Sequence, residues 1–220
     1  VIAFTYAAAG FGGGSSYLAI LAVAGLPFIE IRLTALLCNI IVVSGGTLIF
    51  IRNKQLHWPK ILPLLLMSVP AAFLGAKLRI SQDAFFVILG VSLLIASTLL
   101  WLQPQSSKSN ENAVPGLPLR DGAIGGGIGL LSGMVGIGGG IFLSPVLNFL
   151  NWDTARKIAA TASVFILVNS IAGLAGQLTE LSTGVNWQRV ALLGSAVLLG
   201  GQLGSRISMA RFNLVMIRQV

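Results

Sequence analysis

Residues 135–142 read VGIGGGIF, and residues 9–16 read AGFGGGSS. Both stretches place three consecutive glycines inside apolar sequence, where each glycine disfavours a helix by about 1 kcal/mol relative to alanine. Inside a lipid bilayer, an interrupted helix also leaves backbone groups that need new partners. The repetition predicts that each stretch interrupts a membrane segment, at matching places in two halves of the chain.

The composition is that of a membrane protein. Of the 220 residues, 55% are hydrophobic and 9% are charged, whereas a soluble domain carries about 25% charged residues. The charges separate long charge-free stretches, most of which reach the roughly 20 apolar residues of a spanning helix. The net charge of +8 lies almost wholly between these stretches, where it sets topology rather than binding nucleic acid. We therefore predict an all-α, polytopic integral membrane protein with about eight membrane segments.

The two halves of the chain are homologous, because residues 57–78 align with residues 186–207 without a gap. This stretch pairs Trp58 with Trp187 and Lys60 with Arg189, and upstream of it Arg32 pairs with Arg156 and Asn39 with Ser163. We predict a first repeat over 1–102, a polar linker over 103–121 and a second repeat over 122–220. The predicted segments are 1–27, 33–51, 61–78 and 84–102, then 122–150, 157–177, 189–207 and a last, shortened segment at 209–220. Segments 1–27 and 122–150 contain the glycine breaks.

The charges between segments favour one of two topologies. If each broken segment crosses the membrane, seven Lys/Arg lie on one side and six on the other. If each broken segment is a hairpin that returns to the side it came from, nine Lys/Arg lie on one side and four on the other. The positive-inside rule favours the hairpins, and hence two inverted repeats of a kind common in secondary transporters. The parallel arrangement stays open as the alternative.

Each glycine break predicts a helix N-terminus near the membrane midplane. The first N–H groups of a helix have no intrahelical partner and carry the positive end of its dipole, so two such ends can bind an anion. Without side chains, glycines allow a ligand to approach the backbone closely. The alternative is that the glycines only permit close helix packing. The predicted donors are the backbone amides of Gly13, Gly14, Ser15, Gly139, Gly140 and Ile141, with the hydroxyls of Ser15 and Ser16.

Two aligned polar residues, Asn39 and Ser163, lie in the segment that follows each break, beside Cys38 and Thr161. They are expected either to line the same site or to form hydrogen bonds between helices. Other chemistry is disfavoured. The six acidic residues lie at segment edges or between segments, which argues against a cation pump. One histidine, His57, and one cysteine do not supply a catalytic pair or a metal cluster. We predict no enzyme activity, metal or cofactor.

The motifs GMVGIGGGIFLSPVL (133–147), IAATASVF (158–165) and LGSR (203–206) resemble the sulfite exporter TauE/SafE family. GFGGGSSYLAILAVAGLP (10–27) is a weaker copy, with Ala19 where the second motif has a proline. The resemblance implies a multi-pass inner-membrane transporter of sulfite, thiosulfate or organosulfonates. It marks Gly10, Gly12, Gly13, Gly14 and Asn39 in the first half, and Gly136, Gly138, Gly139, Gly140, Pro145, Thr161 and Ser163 in the second.

The sequence thus predicts a transporter, and more narrowly an exporter, of small sulfur-containing oxyanions that works in the lipid bilayer. The substrate is expected between residues 12–16 and 138–142, with Asn39, Thr161 and Ser163 beside it. A passive anion channel and a membrane scaffold without transport activity are the alternatives.

Overall fold

The computed structural model describes residues 3–4, 13–78, 80–102, 117–179 and 187–217, without the side chains of residues 100, 202 and 204–217. Within these residues the regular elements are α-helices, which confirms the predicted all-α class. They are α1 (Gly14–Val23), α2 (Phe28–Arg52), α3 (Trp58–Lys77), α4 (Gln82–Trp101), α5 (Pro118–Val135), α6 (Gly140–Phe149), α7 (Ala155–Leu178) and α8 (Trp187–Ile217).

Four of the described helices are long and apolar enough to cross a membrane: α2, α3, α4 over Gln82–Leu99, and α7. Their burial differs. In α7, 67% of the most apolar 18 residues are buried inside the bundle, against 22% in α4. Helix α7 therefore forms the centre of the protein, while α4 presents large apolar side chains outward, as a lipid-facing helix does.

Several helices differ in extent from the predicted segments. Helix α5 begins at Pro118, inside the predicted linker, because proline suits the first position of a helix. The rest of that linker, 103–116, lies outside the described residues. Helix α8 continues to Ile217 without the separation expected near residue 208, since no glycine or proline follows Gly204 there. Of the first broken segment, residues 3–4 and 13–27 are described.

Side-chain contacts show which connections share one end of the bundle. Trp152, between α6 and α7, donates from Nε1 to Asp121 Oδ2 in the first turn of α5 at 3.0 Å. Lys60, at the start of α3, donates to the Trp152 carbonyl at 3.1 Å and lies 3.7 Å from Asp153 Oδ2. The starts of α3 and α5 therefore lie beside the end of α6.

The opposite end is defined in the same way. Arg189, at the start of α8, pairs with Glu30 in the first turn of α2 at 3.1 Å. Arg32 donates to the carbonyl of Ala76 near the end of α3 at 3.4 Å. We infer from both sets of contacts that α5 and α6 form a hairpin that leaves and returns at the same end. A broken segment that crossed the membrane would separate Lys60 from Asp153. The inverted relation of the two repeats stays a prediction.

Close packing of α3 on α5 holds the longer arm of this hairpin. Gly125, Gly129 and Gly133 lie along one face of α5, and a methyl group on any of them would collide with the backbone of α3. Such stripes of small residues let two helix backbones approach closely in a membrane. The hairpin is therefore anchored along α5, and its shorter arm, α6, packs against α7 and α4.

Candidate functional site

The predicted break in the second half is present between α5 and α6. Gly136, Gly138 and Gly139 have φ values of 79°, 83° and 80°, and α6 begins at Gly140. In the first half Gly13 has a φ of 77° and α1 begins at the next residue. L-residues with side chains rarely adopt this left-handed region, so glycine is strongly favoured at these turns.

The two breaks meet in the middle of the bundle. A methyl group on Gly14 would lie 2.6 Å from the Ile137 carbonyl oxygen and 2.5 Å from Asn39 Nδ2. Asn39 itself donates from Nδ2 to the Ile137 carbonyl at 2.7 Å. It lies eleven residues into α2, about 16 Å along a helix that is about 37 Å long. The contact between the breaks is thus close to the middle of the expected membrane thickness.

Both short helices point their N-termini at this place, from opposite ends of the bundle. Helix α1 leads to the end where Glu30 lies, and α6 leads to the end where Trp152 lies. The first intrahelical bonds are donated by Tyr17 in α1 and by Phe142 in α6, so the preceding amides lie outside the helical ladder. Two positive dipole ends therefore converge at the glycine breaks.

Unpartnered polar atoms surround the same glycines. Asn39 Oδ1, Ser132 Oγ and Ser170 Oγ have no hydrogen-bond partner among the described residues, and all three residues are fully buried. A methyl group on Gly138 would lie 2.6 Å from Ser170 Oγ, and one on Gly139 would lie 3.2 Å from Ser132 Cβ. Buried polar groups are normally hydrogen-bonded, so this cluster makes the break a candidate binding place for a polar ligand or water.

The glycines are also packed tightly, as the packing alternative expects. A methyl group on Gly139 would lie 2.7 Å from Phe165 Cε1, and one on Gly140 would collide with the Ile166 side chain. Close packing therefore explains why larger residues are excluded here. It does not explain the unpartnered oxygens of the neighbouring asparagine and serines.

The structure brings together most of the predicted site residues, though not all. Gly13, Gly14, Ser15, Asn39, Gly138, Gly139 and Gly140 are buried, Ser16 and Ile141 are half-buried, and Gly12 lies outside the described residues. Thr161 and Ser163 are buried, but their hydroxyls donate to the carbonyls of Lys157 and Ala159 in their own helix at 2.9 and 3.0 Å.

The α7 side chains that contact the break lie further along the helix, at Phe165, Ile166 and Ser170. The sequence reasoning missed Ser170 and, on α5, Ser132. A signal for Ser170 was available, because it follows Ser163 by seven residues, which is two helical turns on the same face.

A buried cation, Arg32, lies beside the break at Gly136, on the side of the bundle where Glu30 lies. Arg32 is 5% exposed, donates to the carbonyl of Gly133 at 2.9 Å and lies 5.9 Å from the centre of the Phe28 ring. It has no carboxylate partner among the described residues. Its aligned counterpart Arg156 is exposed. The acceptors of Arg32 are carbonyls near the C-termini of α5 and α3, which carry the negative ends of the helix dipoles.

Comparison with known proteins finds one family and several membrane transporters. The model of the family "Sulfite exporter TauE/SafE" matches residues 1–219. The "Probable membrane transporter protein y4hK" of Sinorhizobium fredii is 34% identical over 94% of this chain and 84% of its own length. The "Probable membrane transporter protein YunE" of Bacillus subtilis is 26% identical over 85% and 75% of the two chains. The "Probable membrane transporter protein ORF9" of a Sinorhizobium species is 27% identical over 91% and 77%.

No solved structure matches the chain. The family match covers almost every residue, including both glycine breaks and the helices that pack around them. The chain is thus a multi-pass membrane transporter that belongs to the sulfite exporter TauE/SafE family.

Proposed function

We propose that this transporter carries small sulfur-containing oxyanions, such as sulfite, thiosulfate or organosulfonates, out of the cell across its inner membrane. The observation that carries the proposal is the convergence of two helix N-termini on a cluster of buried, unpartnered polar atoms. Backbone N–H groups and hydroxyls can donate to several oxygens of one anion. The family description supplies the sulfur oxyanion as the cargo.

The predicted amides remain the main donors in this proposal. They are those of Gly13, Gly14, Ser15, Gly139, Gly140 and Ile141, and the hydroxyls of Ser132 and Ser170 are added to them. We no longer place the hydroxyls of Thr161 and Ser163 in direct contact with the substrate, because each already donates to its own helix.

The acidic residues support an anionic cargo. Glu30, Asp121 and Asp153 are buried, but each lies in the first turn of a helix or just before one, and each has a basic partner. Asp83 lies in the first turn of α4. The described acidic residues thus leave the centre of the bundle without a carboxylate that could bind a coupling cation.

Two ion pairs favour a carrier over a passive channel. Lys60 starts α3 and pairs with Asp153 of the second half, while its aligned counterpart Arg189 starts α8 and pairs with Glu30 of the first half. The two pairs lie at opposite ends of the bundle, and both are formed in this structure. We propose that each pair closes one end of the transport path and that they open in alternation, as inverted-repeat carriers require.

Counterflow in liposomes tests this proposal. Vesicles that contain the purified protein and unlabelled sulfite should accumulate ³⁵S-sulfite transiently, with a flux that saturates. Sulfite or thiosulfate should also raise the melting temperature, whereas chloride should not. Flux proportional to concentration would favour the channel. Neither binding nor flux with any sulfur oxyanion would favour the scaffold.

Thiol cross-linking tests the alternation in a background with Cys38→Ala. A cross-link between cysteines at Glu30 and Arg189, or between cysteines at Lys60 and Asp153, should stop counterflow until the cross-linker is cleaved. The same double variants before cross-linking are the matched controls. Unchanged counterflow after complete cross-linking would contradict the role assigned to the ion pairs.

A further inference from the structure

We infer that Asn39 makes the site select a monoprotonated oxyanion, hydrogensulfite in the case of sulfite, over the fully deprotonated form. This inference rests on the proposed function, since it concerns the chemical form of the anion that the glycine breaks bind. Nothing in the family match specifies that form.

The orientation of the Asn39 amide is fixed by its neighbour. Its Nδ2 lies 2.7 Å from the Ile137 carbonyl oxygen, which can only accept a hydrogen bond. The other atom of the amide, Oδ1, can therefore only be the acceptor. It is buried and has no donor among the described residues.

The position of this acceptor relative to the breaks gives it a role in recognition. A methyl group on Gly14 would lie 3.1 Å from Oδ1, and one on Gly138 would lie 3.1 Å from Nδ2. The Asn39 side chain thus lies between the starts of α1 and α6. A ligand bound to both helix starts therefore contacts Asn39 Oδ1, an acceptor that needs a hydrogen-bond donor.

The sulfite dianion cannot donate that hydrogen bond. All oxygens of sulfite dianion accept hydrogen bonds, so its binding would leave Oδ1 unsatisfied and bring negative charge close to it. Hydrogensulfite presents one O–H for Oδ1 while its other oxygens accept from the backbone amides and the serine hydroxyls. An unsatisfied buried acceptor lowers stability by about 1–3 kcal/mol, which corresponds to a preference of roughly 5- to 150-fold.

Sulfite is a suitable probe because hydrogensulfite loses its remaining proton near neutral pH. Methanesulfonate is the matched control ligand, since it has the same SO₃ head and single negative charge but no O–H. Binding of total sulfite and of methanesulfonate to the purified full chain is measured by calorimetry from about one pH unit below to two above neutrality.

The affinity for total sulfite should fall up to about tenfold per pH unit above neutrality, while that for methanesulfonate stays flat. At the lowest pH sulfite should bind roughly 5- to 150-fold more tightly than methanesulfonate. In Asn39→Leu, which removes the acceptor, this preference for hydrogensulfite should disappear. If that variant does not fold, as judged by its melting temperature without ligand, the comparison of sulfite with methanesulfonate in the wild-type protein is the test.

Two results would overturn the inference while leaving the proposed function intact. One is a sulfite affinity that rises with pH, which would show that the dianion is the bound form. The other is methanesulfonate binding as tight as that of hydrogensulfite at the lowest pH. Absence of binding by either ligand at every pH would refute both the selectivity and the proposed function.

Discussion

Replacement of Ser170 by alanine separates a role in binding from a role in folding. The Ser170 hydroxyl is fully buried and has no partner among the described residues, so in the empty protein it is a desolvated polar group without compensation. Its removal should stabilise the ligand-free protein by about 1 kcal/mol, the low end of that penalty. A hydrogen bond from the same hydroxyl to an anion contributes about 1.5–3 kcal/mol. Ser170→Ala should therefore lower the affinity for hydrogensulfite roughly 10- to 150-fold.

Ser170→Ala is a specific test because a rise in ligand-free stability and a fall in affinity are expected together. The assay compares the melting temperature without ligand and the affinity from calorimetry, in the same detergent and at one pH. Ser92→Ala is the matched control, because the buried Ser92 hydroxyl in α4 donates to the Leu89 carbonyl at 2.9 Å and lies in another helix. It should lower stability by about 0.6 kcal/mol or less and leave affinity unchanged. A Ser170→Ala protein that melts lower and binds normally would refute the reasoning, since the hydroxyl would then be structural.

Three further predictions follow from the packing and the topology. Gly139→Ala should lower the melting temperature by an amount equivalent to about 1–3 kcal/mol, because residue 139 has a positive φ and lies against the Phe165 ring. Gly90 has open space around it, so the control Gly90→Ala should be neutral or should stabilise the protein by up to about 1 kcal/mol. Gly133→Leu should cost about 3 kcal/mol by separating α5 from α3, and should show as loss of a monodisperse peak in size-exclusion chromatography. Single cysteines at Asn53 and Ala155, in a background without Cys38, should react with an impermeant maleimide from the same side of the membrane; labelling from opposite sides would contradict the hairpin.

The fold class and the second glycine break could be predicted because they depend on local sequence. Long charge-free stretches and a glycine run act within one segment, whatever the rest of the chain does. The start of α2 could not be predicted in the same way. The sequence places the segment edge after Glu30 and Arg32, yet both are buried within the first turns of α2. Distant parts of the chain supply their partners: Arg189 pairs with Glu30, and the Gly133 carbonyl accepts a hydrogen bond from Arg32.

The site could be predicted only in part for a related reason. Asn39 was found because the alignment of the two halves pairs it with Ser163. Which turn of α7 meets the break depends on how deeply the hairpin inserts beside that helix, and local sequence does not determine this depth. The sequence therefore points to Ser163 and misses Ser170, although the Ser163 hydroxyl donates within its own helix and that of Ser170 does not.

Packing and binding are often treated as competing explanations for a glycine run, but in this protein one supports the other. The left-handed glycines turn the chain, and the side chains of Phe165 and Ile166 then hold Gly139 and Gly140 in place. A helix start that is held this firmly keeps its N–H groups in one orientation before any ligand arrives. Fixed donors lose little freedom on binding and need little reorganisation, which is why preorganised dipoles bind charge well in a dry site. Loosely packed glycines would expose the same amides but would lose much of that advantage.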